Sequence, residues 1–529
     1  MAGWGCELAS VVASSAGAPV TLAFYLDKGA SLGPDAPCLT LNGESLSYGD
    51  VVALSHAVAA ALRRSGVRPG DKVGILSANH PRSFACVFGI ARAGAVWCPI
   101  NPRNAAQENA DLLDLFDCTT LLFQPAFDDL VTEIAPGLPR LTTLVRLGEG
   151  SGHATGFDDW VAGASGDDQV DAAPVDDVVA LVGTGGTTGR PKGVMLTDRN
   201  LQTMSSIVLM RYPFRGRPRY LALAPLTHAA GVLCFPIMAL GGEIVVMDHP
   251  DVAEFIALVD RHGITHTFLP PTLIYMVLAH ETLDTADLSS LQCFWYGAAP
   301  ISTSRLAEAL DRIGPMAQLF GQSEAPMMIS TLAPDEHRSA DGRVDETRLA
   351  SAGFPSPLVT VAILGEDGRP VPTGERGEVC VRGPLVMAGY YKNPTATAEA
   401  SAHGWHHTGD IGYLDGDGLL FIVDRAKDMI ITGGFNVYSA EVEQALMAHA
   451  AVRDCAVVGL PDDKWGEKVT AVVLLHDGAT ATPGELIDFV KARIGSVKAP
   501  KQIEVWPDLP RSTVGKVLKT DIRTALVQH

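Results

Sequence analysis

Short apolar runs alternate with longer stretches of helical period through the first half of the chain. Lys72–Ser77 (KVGILS) is a strand-length run, and the positions from Pro81 to Ala93 follow a helical pattern. Val96–Pro99, Thr119–Phe123, Val178–Val182 and Glu243–Met247 are further buried-strand candidates. Such alternation predicts an α/β architecture with largely parallel sheets. Residues Tyr220 to Gly242 carry no Asp, Glu, Lys or Arg, and the stretch is long enough to span a bilayer. Pro225, His228, Gly231 and Pro236 interrupt it, so a buried strand, turn and helix is expected instead.

The pattern changes towards the C-terminus. Tyr413-Leu-Asp-Gly-Asp-Gly-Leu419 reads as a hairpin, with D-G between two apolar runs. A compact α+β pattern follows: helix Ala440–Ala448, strands Cys455–Gly459 and Thr470–His476, helix Gly484–Ile494. With a boundary near Val423–Lys427, the expectation is a large N-terminal domain over 1–424, of mixed and parallel sheets flanked by helices. A smaller α+β domain then spans 425–529.

Composition narrows the class. A chain of 529 residues, 47% hydrophobic and 19% charged, has the profile of a soluble globular enzyme. Its 40 Lys+Arg against 60 Asp+Glu give a formal charge of -20, which disfavours nucleic acid and anionic membrane surfaces. Any polyanionic substrate must therefore meet locally placed cations and backbone amides. The nine cysteines are dispersed with no C-x-x-C pair, which points to a reducing cytoplasm rather than to disulfides or a zinc site. Met1 to Gly17 lacks the basic start of a signal peptide and carries Glu7.

The most informative segment is Val182-Gly-Thr-Gly-Gly-Thr-Thr-Gly-Arg-Pro-Lys-Gly-Val194, directly after a predicted strand. Thr184, Gly185, Gly186, Thr187, Thr188 and Gly189 supply backbone N–H groups and hydroxyls able to form a concave anion nest. Arg190 and Lys192 add positive charge. No Gly-Lys-Ser/Thr follows at Walker spacing. On glycine content alone a surface turn fits equally well.

This loop resembles the Thr/Ser/Gly-rich signature of the adenylate-forming superfamily, specifically its acyl-CoA synthetase and aryl-CoA ligase branch. Gly185 stands where that signature usually has Ser. Further segments match in order from about Leu46 to Lys519, and the resemblance implies a role for each. His228, in Pro225-Leu-Thr-His-Ala-Ala-Gly231, would line the substrate tunnel. Gly297, Ala298 and Ala299 would pack against adenine and the acyl chain. Gln318, Phe320, Gly321, Gln322 and Ser323 precede Glu324, the expected Mg²⁺ ligand. Asp410, in Trp405-His-His-Thr-Gly-Asp410, would accept the ribose hydroxyls with Arg425 beside it. Lys427 would be the hinge of a mobile C-terminal domain, and Gly433, Gly434 and Phe435 would line the thiol tunnel. Ser439 replaces a usual Pro at a helix start, where serine caps well. Lys516, in Pro510-Arg-Ser-Thr-Val-Gly-Lys516, would be the adenylating lysine. Outside the family context, each residue reads more simply as a core histidine, a turn glycine, a surface charge or a strand-to-strand ion pair.

The implied reaction is ATP-dependent acid–thiol ligation, with ATP, Mg²⁺ and coenzyme A as cofactor and co-substrates. An acyl-adenylate forms first, then an acyl-CoA. The segments near 228–238, 298–301 and 325–329 contain no Lys or Arg, which favours a medium- or long-chain fatty monocarboxylate. Arg305 and Arg312 lie between the last two and are read as solvated. Alternatives are an aryl-CoA ligase, an acyl-AMP ligase loading a carrier protein, a luciferase-like oxygenase and a non-catalytic acyl-nucleotide binder. The expected partners are small molecules, with no integral membrane segment; a homodimer stays open.

Overall fold

Lys72–Leu76 lies between Val96–Ile100 and Cys118–Phe123, parallel to both. All three strands are nearly continuous apolar runs, as suits strands covered on both faces. In the computed structural model, the described residues are 21–162, 177–184, 191–226, 229–339, 341–462, 464–512 and 516–528.

Among these residues two large sheets flank a shared core. One runs in the order 389–390, 192–197, 178–184, 96–100, 72–76, 118–123, 143–146, 155–156. The other runs 354–355, 325–332, 316–322, 293–296, 266–269, 219–222, 243–246, 37–41, 44–47. Parallel pairs form the middle of both; antiparallel pairs form both margins of the second sheet but only one margin of the first, whose 155–156 edge is parallel. The fold is thus α/β with mixed, largely parallel sheets, as the apolar pattern predicts.

Helices Leu22–Leu32, Tyr48–Arg64, Pro81–Arg92, Asp198–Arg211 and Ala229–Ala239 contribute to the main buried cluster. Several starts are set by local chemistry. Ser47 and Thr197 each form a reciprocal capping box, with Asp50 and Asn200 respectively, satisfying orphan N–H groups of the first turn. The uncharged stretch Tyr220–Gly242 resolves into strand Arg219–Ala222 and helix Ala229–Ala239, with Pro236 inside the helix. No helix among the described residues is long and apolar enough to cross a membrane.

A third, antiparallel sheet joins Thr360–Leu364, Gly377–Arg382, His406–Leu414 and Leu420–Arg425. Its last two strands are the hairpin expected around Asp415–Gly418. After it, Ile430–Thr432, Phe435–Val437, Val452–Asp462, Gly466–Leu475 and Gln502–Val505 build a separate sheet. Helices Ser439–Met447 and Pro483–Ile494 help to cover it. Its two buried clusters contain only residues from Ile430 onward. All eight described cysteines are buried and unbridged.

Candidate active site

The strands on either side of the glycine–threonine loop pair antiparallel, with Gly183 opposite Gly193 and Thr184 opposite Lys192. Gly185, Gly186, Thr187, Thr188, Gly189 and Arg190 lie outside the described residues, as does His228. The mouth of the loop is nonetheless fixed by its neighbours. Lys192 Nζ stands 4.8 Å from the centroid of the Tyr390 ring, a cation–π distance. The Tyr390 hydroxyl donates to Glu324 Oε1 at 2.8 Å. Burial, then the Glu324 charge, holds the Tyr390 phenol above its ordinary pKa, so it stays a donor.

Glu324 occupies a two-residue turn between Met316–Gln322 and Ala325–Leu332, where Gln322 pairs with Ala325. A tight hairpin gives the carboxylate a fixed position at the sheet end. The main chain is held too: Met387 N donates to Glu324 O at 2.8 Å. Gln322 and Ser323 are half-buried beside it, and Gln322 Nε2 donates to His406 Nε2 at 3.2 Å. Burial is the main cause that lowers the His406 pKa, which leaves that ring nitrogen free to accept. Phe320 packs against the core, and Gln318 accepts from the Tyr296 hydroxyl at 3.0 Å.

Gly297, Ala298 and Ala299 follow the buried strand Cys293–Tyr296. A Cβ on Gly297 would come within 2.3 Å of the Leu319 carbonyl, so only glycine fits between these strands. Ala298 has φ 67, a conformation that strains an L residue, and with Ala299 it is exposed.

Asp410 and Arg425 sit opposite each other on adjacent strands, and Arg425 Nε lies 2.6 Å from Asp410 Oδ1. The ion pair that a bland reading allows is therefore present. It uses one carboxylate oxygen only; among the described residues the buried Oδ2 has no hydrogen-bond partner. An orphaned buried acceptor of this kind is expensive unless a ligand supplies donors, and ribose hydroxyls would. Burial pushes the Asp410 carboxyl up to about 6, against the opposing pull of Arg425 and Lys516. The raised value means that folding disfavours the charged form; the penalty is full above about pH 6 and is relieved as pH falls from there towards the ordinary carboxylate value of 3.8. KM for ATP should accordingly rise below pH 6, while Asp410→Asn keeps its melting temperature at neutral pH; steady-state kinetics and thermal melts check both.

Lys516 completes the cleft. Arg511 and Val517 form an antiparallel bridge, and Lys516 N donates to Ser512 Oγ at 3.1 Å. Lys516 keeps a solvent-exposed surface, yet its ammonium is held below its ordinary pKa. Desolvation is the main cause, followed by Arg425, while Asp410 and Glu324 both act to raise it and Lys427 to lower it. The phosphate-loop mouth, Glu324, Asp410 and Lys516 thus share one electrostatic neighbourhood.

Three residues fit less simply than expected. Ser439 is the first helical residue rather than the cap; its N–H and Oγ both donate to Asp424, and Lys519 Nζ lies within 2.5 Å of Oγ. Asp424 is therefore engaged by the helix start and not by the ribose clamp. Arg305 and Arg312 are ion-paired rather than solvated, because Glu308 stands three residues after one and four before the other. Arg305 also donates to His476 Nε2 at 3.2 Å, a contact between the large part and the C-terminal sheet.

Gly433 and Gly434, expected at a thiol tunnel, form a turn between two short strands. Gly433 and Gly434 have φ 58 and 81, and Phe435 is 60% exposed. Trp465, not singled out from sequence, faces this turn: Gly433 N donates to its carbonyl, and a Cβ on Gly433 would lie 3.0 Å from its ring. Lys427 lies in the short 3-10 turn after Arg425.

Asn79 was also not legible beforehand. Its Nδ2 contacts the Met247 carbonyl at 3.0 Å and those of Leu223 and Ala224 at 3.2 Å. Its Oδ1 accepts Leu226 N at 2.8 Å, which fixes the chain two residues before His228. Asn79→Ala should destabilise the fold by about 3 kcal/mol through buried carbonyls left unpaired, measurable by urea titration.

The site's parts are matched in known proteins. Residues 26–391 match the family of AMP-binding enzymes, and residues 441–516 the AMP-binding enzyme C-terminal domain. A medium/long-chain-fatty-acid–CoA ligase, FadD8 of Mycobacterium tuberculosis, is 38% identical over 92% of this chain and 87% of its own. A feruloyl-CoA synthase of Amycolatopsis is 37% identical over 93% and 96%. Among solved structures, the amide bond synthetase McbA from Marinactinospora thermotolerans superimposes with a TM-score of 0.86 at 31% identity. That match covers 95% of this chain and 99% of that one. The o-succinylbenzoate CoA synthetase of Bacillus subtilis, solved with its acyl-adenylate intermediate, gives 0.83 at 27%, covering 94% and 97%. With a family model that spans most of the chain and relatives that match over nearly all of it, the protein belongs to the AMP-binding enzyme family and is an AMP-forming acid–thiol ligase that uses ATP and coenzyme A.

Proposed function

We propose that the enzyme activates a hydrophobic, medium- or long-chain fatty acid and transfers it to coenzyme A. The observation that carries the residue assignment is the orphaned Asp410 Oδ2 beside Lys516. With Lys516 in the cleft, its ammonium draws in the substrate carboxylate and offsets charge building at the α-phosphorus. A carboxylate oxygen attacks that phosphorus and pyrophosphate leaves. Asp410 and Arg425 hold the ribose end of the nucleotide. The loop of Thr184–Gly189 with Lys192 receives the phosphates, and Gly297–Ala299 with Gln318–Ser323 receive the adenine side. His228 lines the acyl path.

Glu324 fits a divalent cation, because it offers hard carboxylate oxygen beside the phosphate loop. Mg²⁺ held there by Glu324 and phosphate oxygens would neutralise charge on the departing pyrophosphate. The unit 425–529 then turns about Lys427 relative to 1–424. This turn withdraws Lys516 and brings Gly433, Gly434 and Phe435 to the cleft. The CoA thiol attacks the acyl carbonyl and AMP leaves; no protein nucleophile is needed.

The apolar tunnel segments support a fatty acid. Leu233, Cys234, Phe235, Ile237, Met238, Ile301 and Ala325, Met327, Met328 and Ile329 are all buried, and no cation stands among them to pair a second carboxylate. The fatty-acid–CoA ligase relative agrees with this reading. An aromatic acid is the second reading, favoured by the feruloyl-CoA synthase at nearly equal identity. A panel of fatty and cinnamate-type acids with Mg·ATP, followed by pyrophosphate release with and without CoA, decides between them. Turnover restricted to aromatic acids would overturn the fatty reading, and adenylate accumulating in the presence of CoA would point to a carrier-protein acceptor.

A further inference from the structure

Asp410 reaches the cleft from an irregular point in its sheet. Strand Gly377–Arg382 pairs with His406–Leu414, but the register slips: Cys380 faces His407 while Glu378 faces Ile411. Two steps on one strand therefore span four on the other, and Thr408, Gly409 and Asp410 fall in the surplus. A bulge of this kind re-aims side chains and leaves main-chain groups without ladder partners. Gly409 has φ 71, the left-handed conformation that such a kink needs.

Side chains replace the missing ladder bonds. Glu378 Oε1 accepts Gly409 N at 2.9 Å, and Thr408 Oγ1 accepts Asp410 N at 3.1 Å. Thr408 Oγ1 in turn donates to the Val379 carbonyl at 2.6 Å. The other Glu378 oxygen takes His407 Nδ1 at 2.7 Å, while His407 Nε2 donates to the Ala402 carbonyl at 3.1 Å. One carboxylate thus grips the turn at two points, directly before Asp410.

Cys380 lies against the same imidazole, its Sγ 3.5 Å from Nδ1, so three ligand-type side chains converge here. The arrangement is a brace and not an ion site. Both Glu378 oxygens and both His407 nitrogens already have protein partners, and burial pushes the Cys380 thiol up to about 12.

We propose that Glu378 is a positioning residue for ATP, which aims the Asp410 carboxylate at the ribose by holding Gly409 and His407. This rests on the reading of Asp410 as the ribose acceptor. The effect should be specific to nucleotide hydroxyls, because Glu378 acts only through Asp410.

The test compares ATP with 2′,3′-dideoxy-ATP in the full-length enzyme, by kcat/KM for pyrophosphate release. The wild type should prefer ATP by about 100-fold, in keeping with buried hydrogen bonds to a charged acceptor. Glu378→Ala should cut that preference below about fivefold by slowing ATP, with the dideoxy analogue nearly unchanged. Glu378→Gln, whose amide can still accept Gly409 N and donate to a ring nitrogen, should stay within about threefold of wild type. If Glu378→Ala does not fold, Glu378→Met fills the same space without an acceptor and carries the comparison. Equal loss with both nucleotides, or an unchanged preference, overturns the proposal. Asp410→Ala separates the two ideas: an unchanged preference there would sink the ribose assignment itself, whereas its loss in Asp410→Ala but not in Glu378→Ala sinks the brace alone.

Discussion

Lys516→Ala should lower adenylate formation about a thousandfold while leaving thioester formation from supplied acyl-AMP within a few-fold of wild type. The first half follows from position. The ammonium of Lys516 is desolvated and feels the charges of both Asp410 and Glu324. Charge placed in such surroundings acts on a developing oxyanion with little screening, and no water can substitute for it without reorganising. The second half follows from the proposed rotation: once the adenylate exists, the lysine has no bond left to make. Separate assays, pyrophosphate release for one half-reaction and acyl-CoA from synthetic acyl-AMP for the other, measure the two rates. Equal loss in both would contradict an assignment in which the lysine leaves the cleft between steps.

Glu324→Gln should cost about 100-fold in the adenylation rate and raise the Mg²⁺ concentration needed for half-maximal rate, with the melting temperature little changed. Glutamine keeps an oxygen for the Tyr390 hydroxyl, so the local hydrogen bond survives and the hairpin turn is not disturbed. What it loses is formal charge beside the phosphates. Metal titration under saturating ATP, alongside a thermal melt, distinguishes lost cation affinity from lost structure. A normal Mg²⁺ dependence would show that the cation is held elsewhere.

The apolar pattern disclosed the strands at Lys72, Val96, Thr119 and Glu243 because buried parallel strands are short and uniformly hydrophobic, and it also marked Val178–Thr184, which is part-buried and pairs mainly antiparallel. It also disclosed the C-terminal α+β pattern, where the Asp-Gly turn and the two helices carry strong local signals. Sheet order was not legible, since pairing between Pro37–Leu41 and Glu243–Val246 joins segments about 200 residues apart. At the site, Glu324, Asp410 and Lys516 were singled out through resemblance. Asn79, Tyr390 and Glu378 were not. Each acts by holding main chain or another side chain, and an asparagine, tyrosine or glutamate with that duty has no spacing of its own to mark it. Arg305 misled for a related reason: a cation on a helix reads as solvated until Glu308 and His476 are known to face it.

The seam between the large part and the C-terminal sheet is built differently from the interior on either side. Among the described residues, no buried apolar cluster includes side chains from both. Contacts across it include polar and cation–π ones: Arg305 to His476, Ser439 to Asp424, and the Arg376 guanidinium over the Tyr438 ring, 4.7 Å from its centroid. Water can take over every one of these bonds when the surfaces part, whereas a shared greasy core would have to be wetted. A joint so made suits the proposed rotation, with the solvent as its lubricant.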